Sequence, residues 1–311
     1  MKFKHILFPV DFSECSRALT PEVEAIANRF NAKVTLLHVF EIPVTWYASG
    51  EAPLIEAECF EQFATDAKQK LLEYPIQLPA DRVDRIIAEG DPAWNIRKWV
   101  EEHDVDLIMM GTHGYGSMRL LLLGSVAMKV LHYVNCPVWT QAPREQDEEA
   151  FHTPPSNIIC ALELDEEAIP LLRFVKDLAN QFGASVRITH SVPEMIARPY
   201  KYFDTDLHKY LVDSAAVEIK QYQNEAGTDF PVSILEGFVG SDTARLASEH
   251  KADLVVVGRG RIQRVFGTLR THAYEVIRQV SCPVLSYCGA QVATQRSAEK
   301  KVEREPVLST H

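Results

Sequence analysis

An internal repeat constrains this chain more than any other feature. Asn157-Ile-Ile-Cys-Ala-Leu162 echoes His5-Ile-Leu-Phe-Pro-Val10, and Phe182-Gly-Ala-Ser-Val186 echoes Phe30-Asn-Ala-Lys-Val34. Ile158, Phe182 and Val186 each follow Ile6, Phe30 and Val34 by 152 positions. Farther on, His250-Lys-Ala-Asp-Leu-Val-Val-Val-Gly258 follows His103-Asp-Val-Asp-Leu-Ile-Met-Met-Gly111 by 147 positions. Val280-Ser-Cys-Pro-Val284 follows Val134-Asn-Cys-Pro-Val138 by 146. The offset drops only between these blocks, so insertions fall in loops. The chain is two copies of one domain, and 311 residues give each copy room for its own core. We place the boundaries at 1–142 and 156–289, with a polar, acidic linker at 143–155. The tail, 290–311, has too little apolar content to pack and is expected to be disordered or a frayed helix.

Each copy alternates strands with helices. In the first, Ile6–Val10, Val34–Phe40, Val83–Ala88, Leu107–Met110 and Pro137–Gln141 are short apolar runs that read as buried strands. Leu19, Val23, Ile26, Ala27 and Phe30 share one helix face, with Pro21 expected in its first turn or at a kink. Ala57–Leu72 and Pro92–His103 read as helices, the latter opened by Asp91. This order implies an α/β fold with a parallel sheet covered on both faces.

The chemistry concentrates in Asp106–Pro137. A strand ends at Gly111; a loop with Gly114, Gly116 and Gly124 follows; then Ser125 sits where an N-cap belongs, ahead of Val126, Val130, Leu131 and Val134. Glycines let backbone N–H groups approach a ligand, and a helix N-terminus leaves donors unpaired, so the stretch reads as a phosphate site. Gly111-x4-Gly116-Ser117 is not a P-loop, because no lysine precedes the hydroxyl residue, and neither GxGxxG nor GxSxG occurs. His113 could act as a base for hydrolysis, but loop histidines are mostly just exposed; His5, His38, His132 and His190 read as element-end residues. Leu120–Leu123 reads either as packing under the domain pair or as a docking patch.

A formal charge of −11 argues against nucleic acid and against an anionic membrane surface as partners. The N-terminal apolar run stops at Asp11, too short for a signal peptide, and Leu120–Met128 is too short to span a bilayer, so a cytoplasmic protein is expected. The six cysteines form no CxxC pair and no HExxH occurs, so no metal site is expected and the thiols read as free.

These residues resemble the universal stress protein family in its tandem-domain form. Gly111-x2-Gly114-x9-Gly124-Ser125 fits that family's ATP-binding pattern, Ile6–Ser13 its opening strand, and Asn135-Cys-Pro-Val138 its ending. The resemblance implies two Rossmann-like domains of the adenine nucleotide alpha hydrolase-like kind, each a five-stranded parallel sheet, paired as a pseudo-dimer. It places adenine near Asp11, with Pro9 and Val10 leading to it, and near Val39. Ribose and phosphates would follow Gly111, Gly114, Gly124, Ser125 and Val126, with magnesium held by phosphate oxygens. Pro137–Gln141 and Pro283–Tyr287 are then expected side by side and antiparallel, capping edges that would otherwise stay open.

The second copy departs from the pattern. Arg270 replaces Gly124, Thr271 replaces Ser125, Arg261 stands where Gly114 was and Glu163 where Asp11 was. An arginine fills the space a phosphate chain needs, so ATP is expected in the first copy and not the second. Arg259, Arg261, Arg264 and Arg270 read as solvated loop residues or as a cationic cluster for another anion. Pro199–Tyr210 is a candidate wall of the second cavity.

The leading functional reading is a nucleotide-binding regulatory protein of the stress response, with at most slow hydrolysis, since no base is positioned and the loop has no phosphate-binding lysine. A scaffold that binds no nucleotide is the alternative. An adenylating enzyme is a weaker one, because Asp11–Cys15 carries neither an HIGH nor an SGGxDS loop. Whether two chains associate is open.

Overall fold

The computed structural model describes residues 2–41, 53–112, 123–142, 154–193, 201–259 and 271–289, with backbone alone for 53–60, 201–206 and 271. Residues 143–153 of the linker and the tail from 290 lie outside the described residues. The first repeat runs β1 (His5–Pro9), α1 (Glu14–Phe30), β2 (Lys33–Phe40), α2 (Pro53–Leu72), β3 (Val83–Glu89), α3 (Pro92–Glu102), β4 (Leu107–Gly111), α4 (Ser125–Tyr133), β5 (Val138–Gln141). The second runs β6 (Asn157–Ala161), α5 (Ala168–Phe182), β7 (Ser185–Val192), α6 (Lys201–Ala226), β8 (Val232–Glu236), α7 (Val239–Glu249), β9 (Leu254–Gly258), α8 (Thr271–Gln279), β10 (Val284–Tyr287).

The ten strands among the described residues join one sheet in the order β3-β2-β1-β4-β5-β10-β9-β6-β7-β8. Pairing is parallel within each half, and the halves meet where β5 and β10 run antiparallel, as the family resemblance implied. Successive strand residues point to opposite faces. Ile6, Phe8, Leu107, Met109 and Trp139 pack with α1 and α5 on one face; Leu7, Ile108, Met110 and Val138 pack with α3, α4, α7 and α8 on the other. Both cores run unbroken across the two repeats, which is why strands this short are apolar at every position.

The repeat persists in the stops and clamps. Asn31 and Gly183, 152 positions apart, end α1 and α5 in the left-handed conformation. Asp106 Oδ2 accepts from the backbone N–H groups of Lys4 and His5 at the start of β1. Asp253 Oδ2 accepts from those of Ser156 and Asn157 at the start of β6. Gly90 and Gly237, with φ of 107° and 144°, turn the chain from the third strand of each repeat into the following helix. Pro21 lies inside α1 rather than in its first turn. Among the described residues, no helix is long and apolar enough to cross a membrane. Cys15, Cys136, Cys160, Cys282 and Cys288 form no disulfide.

Candidate functional site

In each half the strand order reverses between the first and fourth strands, and open parallel sheets bind ligands at the C-terminal ends beside such a reversal. In the first repeat β1 ends at Pro9, and Val10 extends its pairing by donating its N–H to Leu37 O at 2.9 Å. Asp11 follows, half-buried. Its Oδ1 accepts from Ser13 N at 3.0 Å, Ser13 Oγ at 2.6 Å and Ser16 Oγ at 2.6 Å, while Ser13 Oγ caps α1 by accepting from Ser16 N. Asp11 thus anchors the start of α1 with one oxygen. The hydrogen bonds of Asp11 among the described residues all fall on Oδ1, which leaves Oδ2 as an available acceptor.

Phe12, between them, holds a left-handed φ of 62°, uncommon for an aromatic residue and a form of strain that clusters at functional sites. Its ring lies 4.2 Å from that of His38. His38 Nδ1 donates to Val10 O at 2.7 Å, tying the ends of β1 and β2 together just before Val39, which is half-buried. Burial pulls the His38 pKa down, partly offset by this bond and by the charge of Asp11.

On the other side of the reversal, β4 ends at Gly111. Thr112 N donates to Gln141 O at 2.9 Å, and Thr112 O accepts from Gly124 N at 2.8 Å. That last bond sets the start of α4 against the end of β4. Gly124, not Ser125, is the N-cap, with φ −59° and ψ 147°, and no side chain caps the helix. The expected Ser125 cap is therefore corrected: the turn falls one residue earlier, and Ser125 is the first helical residue, its side chain exposed. The correction is compatible with the anion reading, because among the described residues no side chain accepts from the first-turn N–H groups, those of Ser125 and Val126 among them. The dihedrals of Gly124 are open to any L-residue, so backbone conformation does not demand a glycine there.

The structure thus brings Pro9, Val10, Asp11, Val39, Gly111, Gly124, Ser125 and Val126 to one end of the sheet. Gly114, His113, Gly116 and Ser117 lie outside the described residues, as do Leu120–Leu122; Leu123 is buried in the core beneath α4. The donor set fits a nucleoside phosphate: uncapped N–H groups for the phosphates, and an uncommitted carboxylate oxygen for an amine or hydroxyl. Sequence reasoning missed Phe12 and undervalued His38. His190 repeats the His38 contact at the 152-residue offset, with Nδ1 2.9 Å from Leu162 O, and that coincidence of two histidines was the available signal.

The second repeat keeps the frame with other side chains. Glu163 stands in place of Asp11, and its Oε1 lies 3.4 Å from His272 Nδ1, where the first repeat has Val126. Arg259 is neither solvated nor part of an open cationic cluster. It is 7% exposed and reaches into the first repeat, donating to Leu131 O at 2.6 Å, Val134 O at 3.1 Å and Cys136 O. A guanidinium offers five donors and suits the carbonyls left over at the end of α4. Arg261, Arg264 and Arg270 lie outside the described residues.

Comparison with known proteins agrees with this repeat. The profile of the Universal stress protein family matches residues 2–140 and again 155–287. A universal stress protein of Methanocaldococcus jannaschii is 32% identical over 152 residues, covering 44% of this chain and 93% of the relative. Universal stress protein A homolog 1 of Coxiella burnetii is 28% identical over 140 residues, covering 44% and 95%. Among solved structures, a universal stress protein of Archaeoglobus fulgidus aligns with a TM-score of 0.59 at 19% identity, covering 93% of this chain and 99% of that one. A functionally unknown protein of Pseudomonas aeruginosa aligns at 0.62 and 16%, covering 97% and 98%. These two likenesses speak for the two-repeat fold.

Proposed function

This chain belongs to the universal stress protein family, and from that premise we propose that its first repeat is a receptor for an adenine nucleotide, ATP with its magnesium. Adenine sits by Asp11 and Val39 at the ends of β1 and β2, with Pro9 and Val10 as its floor. The phosphates lie along Gly111, Gly114, Gly124, Ser125 and Val126. The observation that carries this reading is the start of α4, uncapped by any side chain among the described residues and fixed against β4 by the Gly124–Thr112 bond. It offers backbone donors and the positive end of the helix dipole where a phosphate chain would lie.

The nucleotide acts as a signal rather than a substrate. Among the described residues at this site, none is a lysine aimed at a phosphate or a base held against a water position, so hydrolysis is slow and occupancy reports nucleotide level. Phosphate oxygens supply most of the magnesium ligands. The second repeat takes no ATP, because Arg270 and Arg261 replace the glycines. The protein is then a stress-response regulator of the cytoplasm, with one half that takes ATP and one that does not sharing a sheet. Nucleotide retained through purification, or a rise in thermal midpoint with ATP, tests the reading. A chain that gains no stability from ATP at millimolar concentration is the scaffold instead.

A further inference from the structure

The two repeats differ at three equivalent positions beneath the strand ends. β7 carries Thr189 and Ser191 where β2 carries Leu37 and Val39, and α7 carries Thr243 where α3 carries Ile96. The equivalence is fixed by register: Leu37 pairs with Ile86 and Val39 with Ala88, while Thr189 pairs with Ser233 and Ser191 with Leu235. In the first repeat Leu37 and Ile96 are each 1% exposed and fill the core between sheet and helices. In the second repeat the same region is a cavity of about 380 Å³, lined by Thr189, Ser191 and Thr243 together with Glu163, Asp165 and two histidines, His190 and His272.

None of the three hydroxyls has a hydrogen-bond partner among the described residues. Thr189 is 2% exposed and Thr243 0%. A buried hydroxyl without a partner is destabilising, and nearly all buried polar groups are paired. Here three occur around one cavity, each at a position where the first repeat is apolar. Exchanging fitted aliphatic side chains for unsatisfied hydroxyls gains the fold nothing; it gains a ligand three groups that both donate and accept. Glu163, beside His272 at 3.4 Å, and Asp165, which accepts from Glu167 N, bring carboxylate oxygens to the same wall that accept from hydroxyl or N–H groups. The volume falls in the range of small-molecule sites, roughly 300–1,000 Å³.

We infer that this cavity binds a small neutral polyhydroxylated molecule of the sugar or nucleoside class. Its hydroxyls pair with Thr189, Ser191 and Thr243 and donate to Glu163, and aliphatic side chains hold its apolar face. The inference is independent of any nucleotide in the first repeat.

The test uses the full chain carrying Gly124→Arg, which fills the phosphate end of the first repeat's site; adenosine binding is assigned to this cavity by its loss in the hydroxyl-free variants below. Ribose, glucose, adenosine and ATP are titrated calorimetrically. Binding of ribose or glucose together with adenosine identifies a sugar site; binding of adenosine alone identifies a nucleoside site. ATP binds more weakly than adenosine in either case. Adding Thr189→Leu with Thr243→Ile, which restores the first repeat's side chains, weakens binding by at least about tenfold, the equivalent of one lost hydrogen bond. It also raises the thermal midpoint without ligand, because unpaired hydroxyls give way to packed methyl groups. Thr243→Val, which keeps the shape and removes the hydroxyl, weakens binding in the same direction and serves if the double variant does not fold. Binding of none of the three neutral probes, ATP binding tighter than adenosine, or unchanged affinity in the hydroxyl-free variants would each overturn the inference. The Gly124→Arg background keeps these outcomes separate from the first repeat's own affinity for ATP.

Discussion

Trp139 lies directly opposite Leu285 in the antiparallel pair of β5 and β10, and the two are equivalent residues, 146 positions apart. The repeats therefore meet about a pseudo-twofold axis that passes beside this pair. Phe30 and Phe182, also equivalent, repeat the self-contact on one face with ring centroids 5.7 Å apart. Trp139 is 0% exposed and belongs to a core that draws on both halves. Trp139→Ala is expected to cost about 3–5 kcal/mol. Because the core is shared, urea unfolding followed by far-UV dichroism should keep one transition at a lower midpoint. Two separated transitions would show that the halves are independent.

Arg259 joins the halves by a different means. Its guanidinium, buried against the end of α4, serves carbonyls of Leu131, Val134 and Cys136 that no helical N–H reaches. Arg259→Met takes these donors away from a buried site and is expected to cost roughly 3 kcal/mol or more. Arg259→Lys should recover only part of the loss, since a single ammonium cannot span the fork. Denaturation midpoints of the two variants check this, and equal stability of the lysine variant and wild type would contradict it.

Asp11 separates a structural from a ligand role oxygen by oxygen. Asp11→Asn retains an acceptor for Ser13 and Ser16 but turns the outward atom into a donor. Stability should change by less than about 1 kcal/mol while ATP affinity falls about tenfold. Asp11→Ala should lose the α1 anchor as well, at about 1–2 kcal/mol. Thermal unfolding and calorimetry on both variants distinguish the roles.

The histidine that ties β1 to β2 makes stability depend on pH. Burial lowers the His38 pKa below its ordinary value of 6.5, so between the lowered value and 6.5 the unfolded chain binds more protons than the folded one. Its contribution is present in full above about pH 6.5 and is lost as pH falls through the folded value. His5 shifts the same way, again chiefly by burial. Denaturation midpoints should therefore drop between about pH 7.5 and about pH 5, and His38→Asn should flatten the slope in part.

How far the sequence disclosed this molecule follows from the range of each interaction. Ile6–Val10 and Leu107–Met110 were legible as strands because both faces of each are buried, whereas the pairing of β5 with β10 came from the family resemblance, since each half has two edges and either could pair. Asp91 was legible as a cap because capping is local: its side chain accepts from Trp94 N at 2.8 Å. Ser125 was placed one residue late because the Gly124–Thr112 bond that fixes the turn comes from another element. Arg259 was misread because Gly258-Arg-Gly260 looks like an exposed loop, and its partners lie more than 120 positions away, between Leu131 and Cys136. The hydroxyls of Thr189, Ser191 and Thr243 pass as ordinary strand and helix residues until register aligns them with Leu37, Val39 and Ile96. Pro199–Tyr210 was proposed as a cavity wall, yet no described residue of that segment lines the cavity. His208 there turns to Glu236 instead.

The asymmetry of the two repeats is tested most directly by calorimetric titration of ATP into the full chain and into Gly124→Arg. The φ of −59° at Gly124 admits an arginine without backbone strain, so the variant should unfold like wild type. The account predicts one equivalent of ATP bound by wild type and none by Gly124→Arg. Two equivalents in wild type, or undiminished binding by the variant, would contradict it.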